Sequence, residues 1–142
     1  MKTSARNQFS GTVSKVLHGA VNDEIELTLA NGQTLTASIT CASTERLGLG
    51  VGVAATALIK ASSIILIADA EGARFSARNQ LSGVIDNVAV GAVNSEVTIA
   101  LPGGALVAAI VTNGSSDALD LETGMAVTAM FKAGAVILAV AG

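Results

Sequence analysis

The chain has no tryptophan, no tyrosine, three phenylalanines, one histidine and one cysteine among its 142 residues. Each scarcity removes a class of function. Grooves that hold single-stranded nucleic acid use aromatic platforms beside a basic track. Here the only aromatics are Phe9, Phe75 and Phe131 and the net charge is -3. Neither nucleic acid nor an acidic membrane surface is therefore an expected partner. The single cysteine, Cys41, rules out an internal disulfide and suits a reducing compartment. With one histidine, His18, there is no soft-metal ligand set and no Ser-His-Asp or Cys-His constellation. No metal-cation cofactor and no enzymatic activity are expected. Phosphate-cradling GxxxxGK[ST] and dinucleotide GxGxxG patterns are also missing.

Long apolar runs are interrupted. The stretch 47–68 is cut by Lys60 and the stretch 119–140 by Lys132, whereas a membrane span needs about 20 nearly uncharged residues. Met1-Lys2-Thr3-Ser4 leads into polar residues rather than an apolar signal-peptide core. A soluble, cytoplasmic protein is the expectation.

What the chain does have is a repeat. Ser4-Ala5-Arg6-Asn7-Gln8 returns unchanged as Ser76-Ala77-Arg78-Asn79-Gln80, displaced by 72 positions, and Ser-Gly follows each copy after one apolar residue. The same displacement carries Gly19-Ala20-Val21-Asn22 onto Gly91-Ala92-Val93-Asn94, Thr40 and Ser43 onto Thr112 and Ser115, and Lys60-Ala61 onto Lys132-Ala133. The chain thus reads as two copies of one unit, with domains expected at 2–70 and 74–142. The polar link at 69–74 is too short to let them drift far apart.

Within a unit the hydrophobic period is two. Residues 12–16, 24–29 and 35–39 alternate as half-buried strands do. Asn31-Gly32 supplies the positive φ of a hairpin turn. Ser43-Thr44-Glu45-Arg46-Leu47 reads as one helical turn with Ser43 suited to cap it, and two further strands flank Lys60-Ala61. The fold class expected is all-β: two tandem five-stranded OB-like barrels, each with a short helical turn between strands 3 and 4. Aliphatic units this small have thin cores and are expected to oligomerise. The unbroken run Ile64-Ile65-Leu66-Ile67 suggests burial on both faces.

Apart from Glu24 and Glu96, the polar groups common to both copies are donors and cations: Ser4/Ser76, Arg6/Arg78, Thr40/Thr112, Ser43/Ser115 and Lys60/Lys132. A tetrahedral oxyanion presents only acceptors, so its site needs only donors, and charged donors bind it most strongly. Plainer roles stand beside this one. Exposed Arg and Lys are commonly solvated, Asn7 and Gln8 suit the pinning of a turn at a strand start, and the glycines suit turns. His18 and Cys41 face Val90 and Asn113 in the other copy, which argues against a direct role for either.

The combined pattern resembles the Mop domain of the molybdenum-pterin-binding proteins, or molbindins, in its tandem di-Mop form. The resemblance rests on Ser-Ala-Arg-Asn-Gln, Gly-Ala-Val-Asn-x-Glu, Thr-x-x-Ser-x-x-x-Leu-x-Leu and Lys-Ala, and covers essentially the whole chain. It implies OB-like domains assembled as a homotrimer, binding molybdate, with tungstate as its analogue, in molybdenum storage and homeostasis. It implies oxyanion-binding residues Ser4, Ala5, Arg6, Asn7, Lys60 and Ala61, with Thr40 and Ser43 reaching in from a neighbouring unit. The second-copy equivalents are Ser76, Ala77, Arg78, Asn79, Lys132, Ala133, Thr112 and Ser115. It further implies a second class of oxyanion site at Gly19, Ala20 and Val21 and at Gly91, Ala92 and Val93. The alternatives are an OB-type nucleic-acid-binding module, which the acidic charge disfavours, and a pterin-binding structural module. Pterin recognition would want an aromatic or acidic partner that the shared set lacks. The copies depart from each other at Ser62-Ser63, which become Gly134-Ala135.

Overall fold

The computed structural model describes residues 1–142. Strands β1 (Asn7–Leu17), β2 (Asn22–Leu29) and β3 (Thr34–Thr40) lead into helix α1 (Cys41–Leu47), followed by β4 (Ala54–Ile59), a 3-10 turn (Ala61–Ser63) and β5 (Ile65–Ile67). The second copy repeats the order as β6 (Asn79–Val90), β7 (Asn94–Ala100), β8 (Leu106–Thr112), α2 (Asn113–Ala118), β9 (Ala126–Phe131), a 3-10 turn (Ala133–Ala135) and β10 (Ile137–Ala139). No helix is long and apolar enough to cross a membrane.

The chain divides into two compact units, but not at the link between the repeats. Unit 1 is Met1–Ile59 with Lys132–Gly142, and unit 2 is Lys60–Phe131. The two five-stranded sheets run β10-β4-β1-β2-β3 and β5-β9-β6-β7-β8. Each repeat therefore gives its fifth strand to the sheet of the other. Ile137 and Leu138 pair with Leu58 and Ala57, while Ile65 and Leu66 pair with Met130 and Ala129. The link at 69–74 is consequently a β5–β6 connection inside unit 2. The sequence domains 2–70 and 74–142 and the compact units are differently phased divisions of one chain.

In unit 1, alternation builds the core. The inward positions of β2 are Asp23, Ile25, Leu27 and Leu29, and Val13, Leu35 and Ile59 join them. The equivalents in unit 2 are Ser95, Val97, Ile99 and Leu101 with Ile85, Val107 and Phe131. The β2–β3 hairpin turns at Gly32 with φ 85°, and Asn31 Oδ1 accepts the Gln33 N–H at 2.9 Å. Gly11 has a separate reason to be glycine. A Cβ there would stand 2.5 Å from the Thr28 carbonyl oxygen, as one at Gly83 would from Ala100. Close backbone approach beside the register shift after Val13 lets β1 coil over β2. In unit 1 the 3-10 turn Ala133–Ala135 and β10 return to β3; in unit 2 the turn Ala61–Ser63 and β5 return to β8. The fifth strands are buried on one face only. Leu66 and Leu138 point inward, while Ile65 and Ile137 are 58% and 64% exposed within the chain.

Candidate functional site

The repeated pentapeptide stands at the start of β1 and of β6. Ser4 and Arg6 are exposed and Ala5 is half-buried, and Ser76, Arg78 and Ala77 repeat this. The last two residues of the pentapeptide hold it in place. Asn7 is 1% exposed, in phase with Phe9 and Val13, and its Nδ2 donates to the Ile59 carbonyl at 3.2 Å. Gln8 Nε2 donates back to the Ala5 carbonyl at 3.2 Å, and Gln80 Nε2 does the same to Ala77 at 3.1 Å. Asn7 pairs with Ile59 and Asn79 with Phe131. In each sheet the pentapeptide thus meets the residue that precedes the lysine. Lys60 and Lys132 are exposed at the heads of the 3-10 turns with no side-chain cap hydrogen bond.

Thr40 and Ser43 occupy the start of α1. The helix begins earlier than the sequence suggests, and its N-cap is Thr40 rather than Ser43, because Cys41 and Ala42 are already helical. Thr40 Oγ1 accepts the Ser43 N–H at 3.1 Å and donates to Ser43 Oγ at 2.9 Å. Thr112 and Ser115 repeat this at 3.1 and 2.8 Å. With the threonine hydroxyl spent on the serine, the serine O–H becomes the donor at the end of the pair. Thr-x-x-Ser is therefore both a cap and a presented hydroxyl.

Within a unit these two donor sets lie apart. Thr40 pairs with Asn22 at the start of β2, and β2 begins opposite the far end of β1, where Leu17 faces Glu24. Asn7 is at the near end of the same strand. Ten residue steps at about 3.3 Å each separate the two ends. Unit 2 has the same register from Asn79 to Val90 and from Asn94 to Thr112.

A TOBE domain is recognised at residues 3–66 and again at 76–138. The chain belongs to the TOBE-domain family. Its two TOBE copies are similar, over 140 residues and at 46% identity, to the molybdenum transport protein ModE of Herbaspirillum seropedicae, covering 99% of this chain and 52% of that protein. The molybdenum-pterin-binding protein MopA of Rhodobacter capsulatus is 45% identical over 98% of this chain and 52% of its own length. The chain thus spans about half the length of the curated relatives it matches. Among solved structures, the cytoplasmic molybdate-binding protein ModG with molybdate bound superposes with a TM-score of 0.97 at 43% identity, covering 99% of this chain and 100% of that one.

The Gly19-Ala20-Val21 and Gly91-Ala92-Val93 loops of the TOBE copies are exposed, but their glycine N–H groups are engaged. Gly19 donates to Asp23 Oδ1 at 3.2 Å and Gly91 to the Asn94 carbonyl at 2.9 Å. Asp23 is a residue that sequence reasoning passed over, although it stands in phase with Ile25, Leu27 and Leu29. It is 1% exposed and receives the Cys41 thiol at 3.2 Å, with His18 Nδ1 at 3.3 Å. The Thr44 hydroxyl, then Cys41, the Gly19 N–H and His18 hold its carboxyl down at about 2 against the opposing effect of burial. The same carboxylate, with burial, raises the Cys41 pKa. No group of three or more His, Cys, Asp or Glu side chains is arranged to hold a metal ion.

Proposed function

We propose that this chain is a cytoplasmic molybdate-binding protein, also accepting tungstate, that stores and buffers the oxyanion and catalyses no reaction. The observation that carries this reading is the near-complete superposition on ModG with molybdate bound, at 43% identity over the full length of both chains. Retention of the whole donor set in both copies supports it. Ser4, Ala5, Arg6, Lys60 and Ala61 form one half of a cage and Thr40 and Ser43 the other, with Ser76, Ala77, Arg78, Lys132, Ala133, Thr112 and Ser115 as the second set. Asn7 acts through the backbone it pins, and Asn79 is equally buried at the matching position. The separation of the two halves along β1 supports cages completed at subunit interfaces, in a homotrimer of chains with OB-like domains. The exposed Ile65 and Ile137 faces are available for such assembly. A bridging anion then stabilises the oligomer by mass action.

A second reading takes its support from ModE. The 46% identity to half of that protein, and the 39% identity to half of the DNA-binding transcriptional dual regulator ModE of Escherichia coli, fit the ligand-binding part of a larger regulator. Titration calorimetry with molybdate, tungstate and sulfate tests the binding itself. Arg6→Ala with Arg78→Ala removes a charge-assisted contact from each cage and is expected to weaken molybdate by about ten- to a hundred-fold. Unchanged binding in that double variant refutes the assignment of the arginines.

A further inference from the structure

The two lysine turns share one backbone and differ in what they display. Lys60 and Lys132 have nearly the same conformation, φ -68° ψ 133° and φ -70° ψ 145°. The turns close with the same bonds, Ser63 N–H to the Lys60 carbonyl at 2.9 Å and Ala135 N–H to the Lys132 carbonyl at 3.0 Å. Every other donor of the set is the same residue in both copies. Beside Lys60, however, stand the exposed Ser62 and half-buried Ser63 hydroxyls, and beside Lys132 stand Gly134 and Ala135. A Cβ built on Gly134 meets nothing within 4 Å and its φ is not in the left-handed region, so no crowding or backbone demand at this position requires glycine.

From this we infer that the chain carries two unequal oxyanion sites, and that Ser62 and Ser63 are the residues that set the Lys60 site tighter than the Lys132 site. The inference rests on the oxyanion-binding reading above. A hydroxyl has one proton to give and can rotate it toward an anion held by the neighbouring ammonium. A hydrogen bond to a charged group is strong enough that one such contact separates the sites by about ten-fold in affinity. The Lys60 sites fill first and the Lys132 sites form a weaker reserve. One chain then buffers over a wider range of free anion than two equal sites would.

Calorimetric titration of the full chain with molybdate tests this. The wild type is expected to show two classes of site about ten-fold apart. Ser62→Gly with Ser63→Ala is expected to merge them into one weak class. Gly134→Ser with Ala135→Ser is expected to merge them into one tight class. Each variant copies the other turn, and thermal melts check that both fold. A single class in the wild type, or two classes that persist in both folded variants, overturns the inference while leaving the binding reading intact. Absence of any molybdate binding by the wild type overturns both.

Discussion

Beneath the first glycine loop lies a carboxylate, and beneath the second lies a neutral pair. Asp23 gathers the Gly19 N–H, the Cys41 thiol and His18 Nδ1. Its counterpart Ser95 donates to Asn113 Oδ1 at 2.7 Å, and Asn113 Nδ2 donates on to the Gly91 carbonyl at 2.8 Å. In unit 1 the equivalent last link is the Cys41 thiol, whose one proton is shared between Asp23 Oδ1 and the Gly19 carbonyl at 3.4 Å. Both units thus tie an inward-facing strand residue through the first helical residue to the loop. They do so with different chemistry, and the two positions differ together. An acceptor-only carboxylate needs a donor partner such as a thiol, whereas a serine that donates needs an amide that both accepts and donates. The requirement common to both is a satisfied polar plug; its charge is optional.

Three interventions separate the units. The largest effect is expected from cutting the chain. Residues 60–131 contain every strand of unit 2 and should melt cooperatively when expressed alone. Residues 1–70 lack β10 and leave the β4 edge open, so they should gain structure only as concentration rises. Circular dichroism melts across a dilution series distinguish the two. Next comes acid. Because the folded Asp23 carboxyl sits near 2 and an unperturbed one near 3.9, its contribution is complete above about pH 4. That contribution is lost as pH falls toward 2. Urea melts from pH 5 down to 2.5 should show unit 1 weakening, and Asp23→Ser with Cys41→Asn should flatten the dependence. An identical pH slope in that variant would remove Asp23 as the cause. The smallest effect is chemical. The raised Cys41 pKa should make its alkylation at pH 8 slower than that of a free thiol, and Asp23→Asn should speed it. Mass spectrometry of iodoacetamide-treated protein gives the rates.

Much of the fold is legible in the residues, for reasons that also mark where legibility stops. Gly32 makes the hairpin because few residues but glycine tolerate its φ of 85°, and the alternation through 24–29 fixes which face is buried. Pairing of the fifth strand is different. Its partner strands carry nearly the same residues, Thr56-Ala57-Leu58 in β4 and Thr128-Ala129-Met130 in β9. Ile65-Leu66-Ile67 is therefore accepted by either edge on local grounds, and only the path through the 3-10 turn decides. The candidate site is legible as a set of donors because a duplication displays it twice. The buried roles of Asn7 and Asp23 were present in the phase of the strands, but a polar residue in an apolar series declares itself only when its partners, Ile59 and Cys41, come from distant sequence.

One number recurs in two guises. The repeats are displaced by 72 positions, and unit 2, residues 60–131, is 72 residues long. Any window of that length along a perfect tandem repeat holds one of every element, so the sequence alone names no starting point. Strand exchange chooses one. Unit 2 is the repeat read from its last strand onward, a natural circular permutant of its neighbour. Unit 1 is the same design interrupted, closed by the two ends of the chain. The duplicated halves are therefore bound to inherit each other's changes: a substitution in one gene segment's final strand alters the core of the other.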